Sequence, residues 1–136
     1  MKKKLLSSFL VLFVSLALIG SSFASSISPL WDNIGECDVS LVFNGKTAQC
    51  SVDIIGNPGT SRIVATVELQ VKNSSGNYVR SASWSTQTVY GTDFSFYEYA
   101  YNRPAGEYRL IVNATVYNAN GVGESVYRED YATCYG

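Results

Sequence analysis

The sequence predicts an all-β fold, and three observations carry that prediction. Apolar residues recur at every second position through most of the chain after residue 37. The clearest stretch, RIVATVELQVK, puts Ile63, Ala65, Val67, Leu69 and Val71 on one side and Thr66, Glu68, Gln70 and Lys72 on the other. Turn chemistry rich in Gly, Asn and Pro interrupts these runs about every 8 to 12 residues, the spacing of an antiparallel sandwich. No stretch after the first residues has helical periodicity of useful length. A single sheet would leave the apolar sides wet, so two sheets must close over them.

Ahead of the strands, MKKKLLSSFLVLFVSLALIGSSFASS has the three parts of a secretory signal peptide in order. Lys2, Lys3 and Lys4 form the positive start, Leu5 to Ile19 are nearly all apolar, and Ser22-Phe23-Ala24 places small residues at both recognition positions for cleavage. Cleavage is expected after Ala24, which leaves residues 25–36 as a mature N-terminal segment and 37–136 as a single β-sandwich domain. A retained anchor would need roughly 20 apolar residues in a row, whereas this run is shorter and ends in serines. No cysteine follows it to carry a lipid, and no wall-sorting motif or apolar tail follows Thr133, so a released, extracellular protein is expected. Without the leader the chain carries seven basic and eleven acidic residues, a net charge of −4, with the basic residues scattered singly. That gives no basic field for nucleic acid or anionic lipid, and neither nucleic acid nor, after cleavage, a membrane is expected as a partner.

The elements follow in order. Val39, Leu41 and Phe43 alternate up to Asn44-Gly45, and Ala48, Cys50, Val52 and Ile54 continue beyond it. A two-residue Asn-Gly turn predicts a hairpin with Phe43 opposite Lys46 and Val39 opposite Cys50, both apolar sets pointing the same way. Gly56-Asn57-Pro58-Gly59 turns the chain into the strand already quoted, and Asn73 to Asn77 leads into YVRSASWSTQTV, a more polar strand expected at a sheet edge. DFSFYEYAY then has Phe94 and Phe96 on the core side and Tyr97, Tyr99 and Tyr101 on the other. Asn102 to Gly106 turns into EYRLIVNATVYN, whose inward set is Tyr108, Leu110, Val112, Ala114 and Val116. After a loop at Asn118 to Gly123, a last strand runs from about Glu124 to Thr133, giving about seven strands in all.

Tyr108 follows a Pro-Gly turn at the start of the penultimate strand, where the tyrosine corner of immunoglobulin-like sandwiches sits. The predicted fold is therefore an immunoglobulin-like antiparallel β-sandwich preceded by a signal-peptide helix, with a closed barrel as the alternative architecture. ISPLWDN, TAQCSVDIIG, RIVATVELQ and GEYRLIVNATVYNANGVGES together resemble a family of short secreted β-sandwich proteins of Gram-positive bacteria, a family of unassigned function. The resemblance extends over nearly the whole mature chain. It implies secretion and a single β domain, and it brings no catalytic motif.

Residue inventory narrows the chemistry. The chain has no histidine, which removes Ser-His-Asp and Cys-His catalysis and the usual catalytic zinc ligand sets. Its three cysteines show no CxxC spacing, so no metal site and no cofactor are expected. A glycosidase needs two carboxylates about 5 to 9.5 Å apart across one bond. The pairs Asp93 with Glu98 and Glu129 with Asp130 differ in parity along their strands, so their members should face opposite ways. No catalytic residue is assigned, and a non-enzyme is expected. GNPGTS and NRPAG resemble loop fragments of small secreted immunoglobulin-like inhibitors of cysteine proteases, a remote alternative that ordinary turn chemistry also explains.

The candidate contact residues are aromatic. Tyr97, Tyr99 and Tyr101 should project from one sheet face in a row, with Trp84 on a nearby polar strand. Aromatic faces on a rigid sheet suit sugar rings and protein interfaces, although tyrosine is also a favoured strand residue whose cross-strand pairs stabilise sheets. The expected function is a secreted, non-catalytic binding or adhesion module acting at or outside the cell envelope on a surface glycan or protein. The alternative is a structural protein that assembles with itself or with the wall matrix.

The cysteines allow one bridge. Secretion into an oxidising space favours pairing. In the expected register Cys37 and Cys50 sit diagonally, roughly 7 to 8 Å apart between Cα atoms, wider than the 4.4 to 6.8 Å that a disulfide prefers. A bond between Cys50 and Cys134 closes a longer loop and is the preferred expectation, with Cys37–Cys50 as its competitor.

Overall fold

Eight strands succeed one another in residues 31–136, the part of the chain that the computed structural model describes: β1 (Ile34–Asn44), β2 (Thr47–Gly56), β3 (Thr60–Lys72), β4 (Tyr78–Ser83), β5 (Gln87–Val89), β6 (Asp93–Ala100), β7 (Gly106–Asn118) and β8 (Gly123–Cys134). The predicted signal peptide, residues 1–24, and residues 25–30 lie outside the described residues. β1, β2 and β6 form a three-stranded antiparallel sheet in that order. The larger sheet has the order β4-β3-β7-β8, with β5 pairing β3 on the β4 side. The chain changes sheet after β2, after β5 and after β6, and both sheets keep free edges, so the fold is a sandwich and not a closed barrel.

Period two decides what is inside. Ile63, Ala65, Val67 and Leu69 of β3 and Tyr108, Leu110, Val112, Ala114 and Val116 of β7 are all buried, and they meet Leu41, Ala48, Cys50, Val52, Ile54, Phe94 and Phe96 of the small sheet in one core. Tyr108 makes the corner that its position in the sequence suggests. Its hydroxyl donates to the Pro104 carbonyl at 2.7 Å while its ring lies 4.9 Å from that of Phe43. The bond ties the β6–β7 connection to the first turn of β7, which is the mark of an immunoglobulin-like sandwich.

Three local expectations change. The β1–β2 loop is Gly45-Lys46, not Asn44-Gly45, so that Asn44 pairs with Thr47, Phe43 with Ala48 and Leu41 with Cys50. Gly45 takes φ 58° and Lys46 does not take a positive φ, the arrangement of a type II′ turn with glycine first. Moving the loop by one residue shifts the pairing by two, so every side chain keeps its face. Next, the single polar strand expected from Tyr78 to Val89 is two. The ladder with β3 skips Ser81, and after Ser83 the chain leaves the edge so that Trp84 turns inward, its ring edge-on to Phe96 at 5.1 Å. Finally, β1 starts at Ile34, ahead of Cys37, because Asn33 is buried and anchors it, donating from Nδ2 to the carbonyls of Val116 and Val122 at 3.0 Å.

The cysteine expectation also changes. Cys37, Cys50 and Cys134 are free and buried. Cys37 pairs across the hairpin with Ile54 and Cys50 with Leu41, so the two thiols are four positions apart on the ladder, about 13 Å, too far for a bridge. The preferred Cys50–Cys134 bond is not formed either. Cys134 ends β8 opposite Gly106, and its thiol donates to the carbonyls of Gly45 and Arg103, whereas Cys50 lies in the middle of the small sheet between Leu41 and Glu98. Burial, with the charge of Glu98 adding, pushes the Cys50 thiol up to about 12, and burial also raises Cys37.

Candidate functional site: two aromatic sheet faces

Outward positions of β6 place Tyr97 and Tyr99 side by side on the outer face of the small sheet, and Tyr101 extends the row just past the strand end. All three are exposed, by 57%, 40% and 60%. The rings interlock: Tyr97 meets Tyr99 edge-on at 5.2 Å, Tyr99 lies at 26° to Tyr101 with centroids 5.9 Å apart, and the hydroxyls of Tyr97 and Tyr99 are 3.0 Å apart. That hydroxyl contact raises the Tyr97 phenol above its ordinary value. Pairing across the sheet sets Ser51 beside Tyr97 and Gln49 beside Tyr99, so amide and hydroxyl groups flank the aromatic strip. The strip is about 13 Å long at strand rise.

Trp84, expected near this row, is not part of it. Its ring packs against the inward-facing Phe96, on the other side of β6, where it helps to close the gap between the two sheets. The far end of the strip's face is acidic. Asp38 pairs directly with Asp53, Glu36 hydrogen-bonds to Asp38, and Ser95 donates to Asp53. The hydrogen bond to Asp38, and the charges of Asp38 and Asp53, raise the Glu36 carboxyl above its usual range. Among the described residues no group of three or more Cys, Asp or Glu side chains is arranged to hold a metal ion.

The outer face of the larger sheet carries a second aromatic cluster, which is not among the residues expected from the sequence. Tyr127, Glu129 and Tyr131 are successive outward positions of β8. Both tyrosine hydroxyls donate to the Glu129 carboxylate, at 2.8 and 2.6 Å, and Arg109 of β7 stands 3.6 Å away. Those hydroxyl bonds, with the arginine charge, hold Glu129 below the usual carboxylate range. The bond to Glu129 pushes the Tyr131 phenol up, against the opposing pull of Arg109. Arg109 donates to Gln70, and its guanidinium lies 4.3 Å over the ring of Tyr78. Gln70 in turn donates to Glu68, which accepts from Arg80 as well. The period-two run Tyr127-Glu129-Tyr131 was readable in the sequence; its partners on β3, β4 and β7 were not, because they depend on the register between strands.

The carboxylate pairs separate as their parity requires. Glu129 faces outward, while Asp130 turns to the sandwich margin and accepts from the Leu41 amide of β1 at 2.8 Å. Asp93 points outward at the start of β6, and Glu98 lies toward the opposite side, opposite Cys50 at the sheet edge. The loops GNPGTS and NRPAG occupy opposite ends of the sandwich: Asn57 bonds to Asn33, whereas Arg103 bonds to Lys46 and Ser81.

No family model matches the chain, and no curated protein matches it. Among solved structures it is similar to Spo0M, a sporulation control protein from Bacillus subtilis, with 15% identity and a TM-score of 0.33 over 76% of this chain. The chain spans about half the length of that protein, 49%.

Proposed function

We propose that this is a secreted, non-catalytic module that binds a surface glycan at or outside the bacterial cell envelope through the strip Tyr97-Tyr99-Tyr101. The observation that carries the reading is the strip itself: three exposed tyrosines, mutually braced and flanked by Ser51 and Gln49, on a strand backed by a packed core. Aromatic rings stack on the C–H faces of sugars while amide and hydroxyl groups meet their hydroxyls. Rings already braced lose little freedom on binding. Secretion is supported by the leader-like first 24 residues and by the resemblance to short secreted proteins of Gram-positive bacteria. The absence of histidine and the opposed directions of Glu129 and Asp130 support the non-catalytic part.

Binding of the secreted domain to insoluble cell-wall polysaccharides and host glycans, by pull-down, tests the proposal. Tyr99→Ala should abolish retention while changing stability by less than about 1 kcal/mol, the scale of a cross-strand pair. A large loss of melting temperature would mean that Tyr99 is structural, and unchanged retention would remove the strip from the site. Self-assembly is the second reading, favoured by the free edge of β6 in the small sheet. Sedimentation separates the two: concentration-dependent mass marks assembly, and a monomer that retains glycan marks the binding module.

A further inference from the structure

We propose that the outer face of the larger sheet is a second ligand site, which takes a linear, uncharged saccharide chain laid along β7 and β8 and so makes the domain bivalent. The proposal rests on the reading of the domain as a glycan binder, but on other residues, on the opposite side of the sandwich from the tyrosine strip. Two hollows open on this face. One, of about 310 Å³, is lined in part by Lys72, Tyr78, Glu107, Tyr131 and Thr133. The other, of about 370 Å³, is lined in part by Thr66, Asn113, Thr115, Ser125 and Tyr127. Their volumes fall at the lower end of the range of about 300 to 1,000 Å³ for small-ligand sites. Each offers tyrosine for the apolar side of a sugar ring and hydroxyl, amide or carboxylate groups for its polar rim.

Spacing points to a chain and not to a single sugar. Tyr108, under the first hollow, and Ala114, under the second, are six residues apart on β7, about 20 Å at strand rise. Only an extended ligand reaches both. Between them lies the Glu129 row, whose tyrosines are held by two hydroxyl bonds to one carboxylate, so the track is ordered before ligand arrives. Charge selects a neutral chain. Lys72 is paired with Glu107 at 2.8 Å, Arg80 with Glu68 at 3.1 Å and Arg109 with Glu129 at 3.6 Å. Each of these three cations already has its own carboxylate, and Arg62, the fourth on this face, lies 3.9 Å over the ring of Tyr117, so no cluster of free cations is left to draw a polyanion.

Calorimetric titration of residues 25–136 with N-acetylglucosamine dimers and hexamers, cellohexaose and the anionic hexamer of galacturonic acid tests this. At least one neutral hexamer should bind at two sites per domain, with one site class lost in Tyr99→Ala. Tyr131→Ala and Asn113→Ala, one in each hollow, should each weaken the other class about tenfold, or about 1.4 kcal/mol. At that second class the neutral dimer should bind at least about tenfold more weakly than its hexamer, and the anionic hexamer should not bind. A single site that Tyr99→Ala abolishes and the other two variants leave untouched overturns the second site and leaves the strip standing. A single site with the converse sensitivity overturns the strip and keeps this face. Equal affinity for dimer and hexamer, binding of the anionic hexamer, or capture of protein and no glycan overturns this proposal, and failure of every neutral oligomer to bind overturns both. Amide shift mapping on the unmodified domain decides the matter whatever the variants do to folding: the hexamer must shift Asn113 and Thr133 together, and silence at either overturns the two-hollow track.

Discussion

Tyr108 joins packing and hydrogen bonding in one side chain. Its ring is fully buried against Phe43, and its hydroxyl reaches the Pro104 carbonyl in the connection before its own strand. Tyr108→Phe keeps the ring and removes the bond, which should cost about 1 to 1.5 kcal/mol. In a domain of this size that lowers the thermal midpoint by roughly 4 to 8 °C per kcal/mol, measurable by calorimetry. No change would show that the corner hydroxyl contributes nothing. Glu129 is the opposite kind of residue, exposed and electrostatic. The hydroxyls of Tyr131 and Tyr127 hold its carboxyl below the usual carboxylate range in the folded state. A group depressed on folding contributes stability that is complete above its unfolded value and is lost as pH falls through its folded value. The difference in melting temperature between the unmodified domain and Glu129→Gln should thus be constant from about pH 8 to about pH 5 and shrink below that. A difference that grows toward acid would reverse the assignment.

At the scale of the strand, alternation decides the face and leaves the partner open. RIVATVELQVK was legible because β3 is central, flanked by β7 on one side and by β4 and β5 on the other, so its inward set meets only core and its outward set only sheet face. Val67 lies in the middle of that inward set opposite Val112. Val67→Asp should therefore leave no folded domain, since an unpaired buried charge costs several kcal/mol against a total of about 5 to 15. Far-ultraviolet circular dichroism and soluble yield check it, and a normally folded variant would refute the orientation of β3. What the sequence left open has a common cause. The β1–β2 turn lies one residue beyond its expected place because both Asn44-Gly45 and Gly45-Lys46 offer a glycine for positive φ, and only the ladder chooses between them. Trp84 read as a contact residue because it sits in a polar stretch, but the break between β4 and β5 lets it turn to Phe96. The outward direction of Tyr97 and Tyr99 depends on alternation alone and is legible in the sequence. The Glu129 cluster draws on four strands and needed their registers.

For the molecule as a whole, the two sheets must be joined by packing, edge contacts or covalent bonds. The margin between β1 and β8 is closed by side chains: Asp130 accepts from the Leu41 amide, Glu124 accepts from the Asp32 amide, and Arg128 covers the ring of Trp31 at 4.5 Å. These bonds do for the free edge of β1 what a further strand would do, and they leave no need for a covalent staple there. The three thiols are accordingly buried in separate places, Cys37 and Cys50 in the small sheet and Cys134 at the end of β8. Thiolate is the reactive form, and burial that lifts Cys50 to about 12 leaves it almost wholly protonated at neutral pH. The native domain should therefore react with none of its three thiols on addition of an aromatic disulfide reagent, and with all three once unfolded in guanidinium. Its melting temperature should be the same with and without a reducing agent, because no loop is closed by a bridge. Non-reducing peptide mapping completes the test. A linked Cys50–Cys134 peptide, accompanied by one reactive thiol on unfolding and a melting temperature that falls on reduction, would show that a covalent bond and not the β1–β8 margin holds the sheets together.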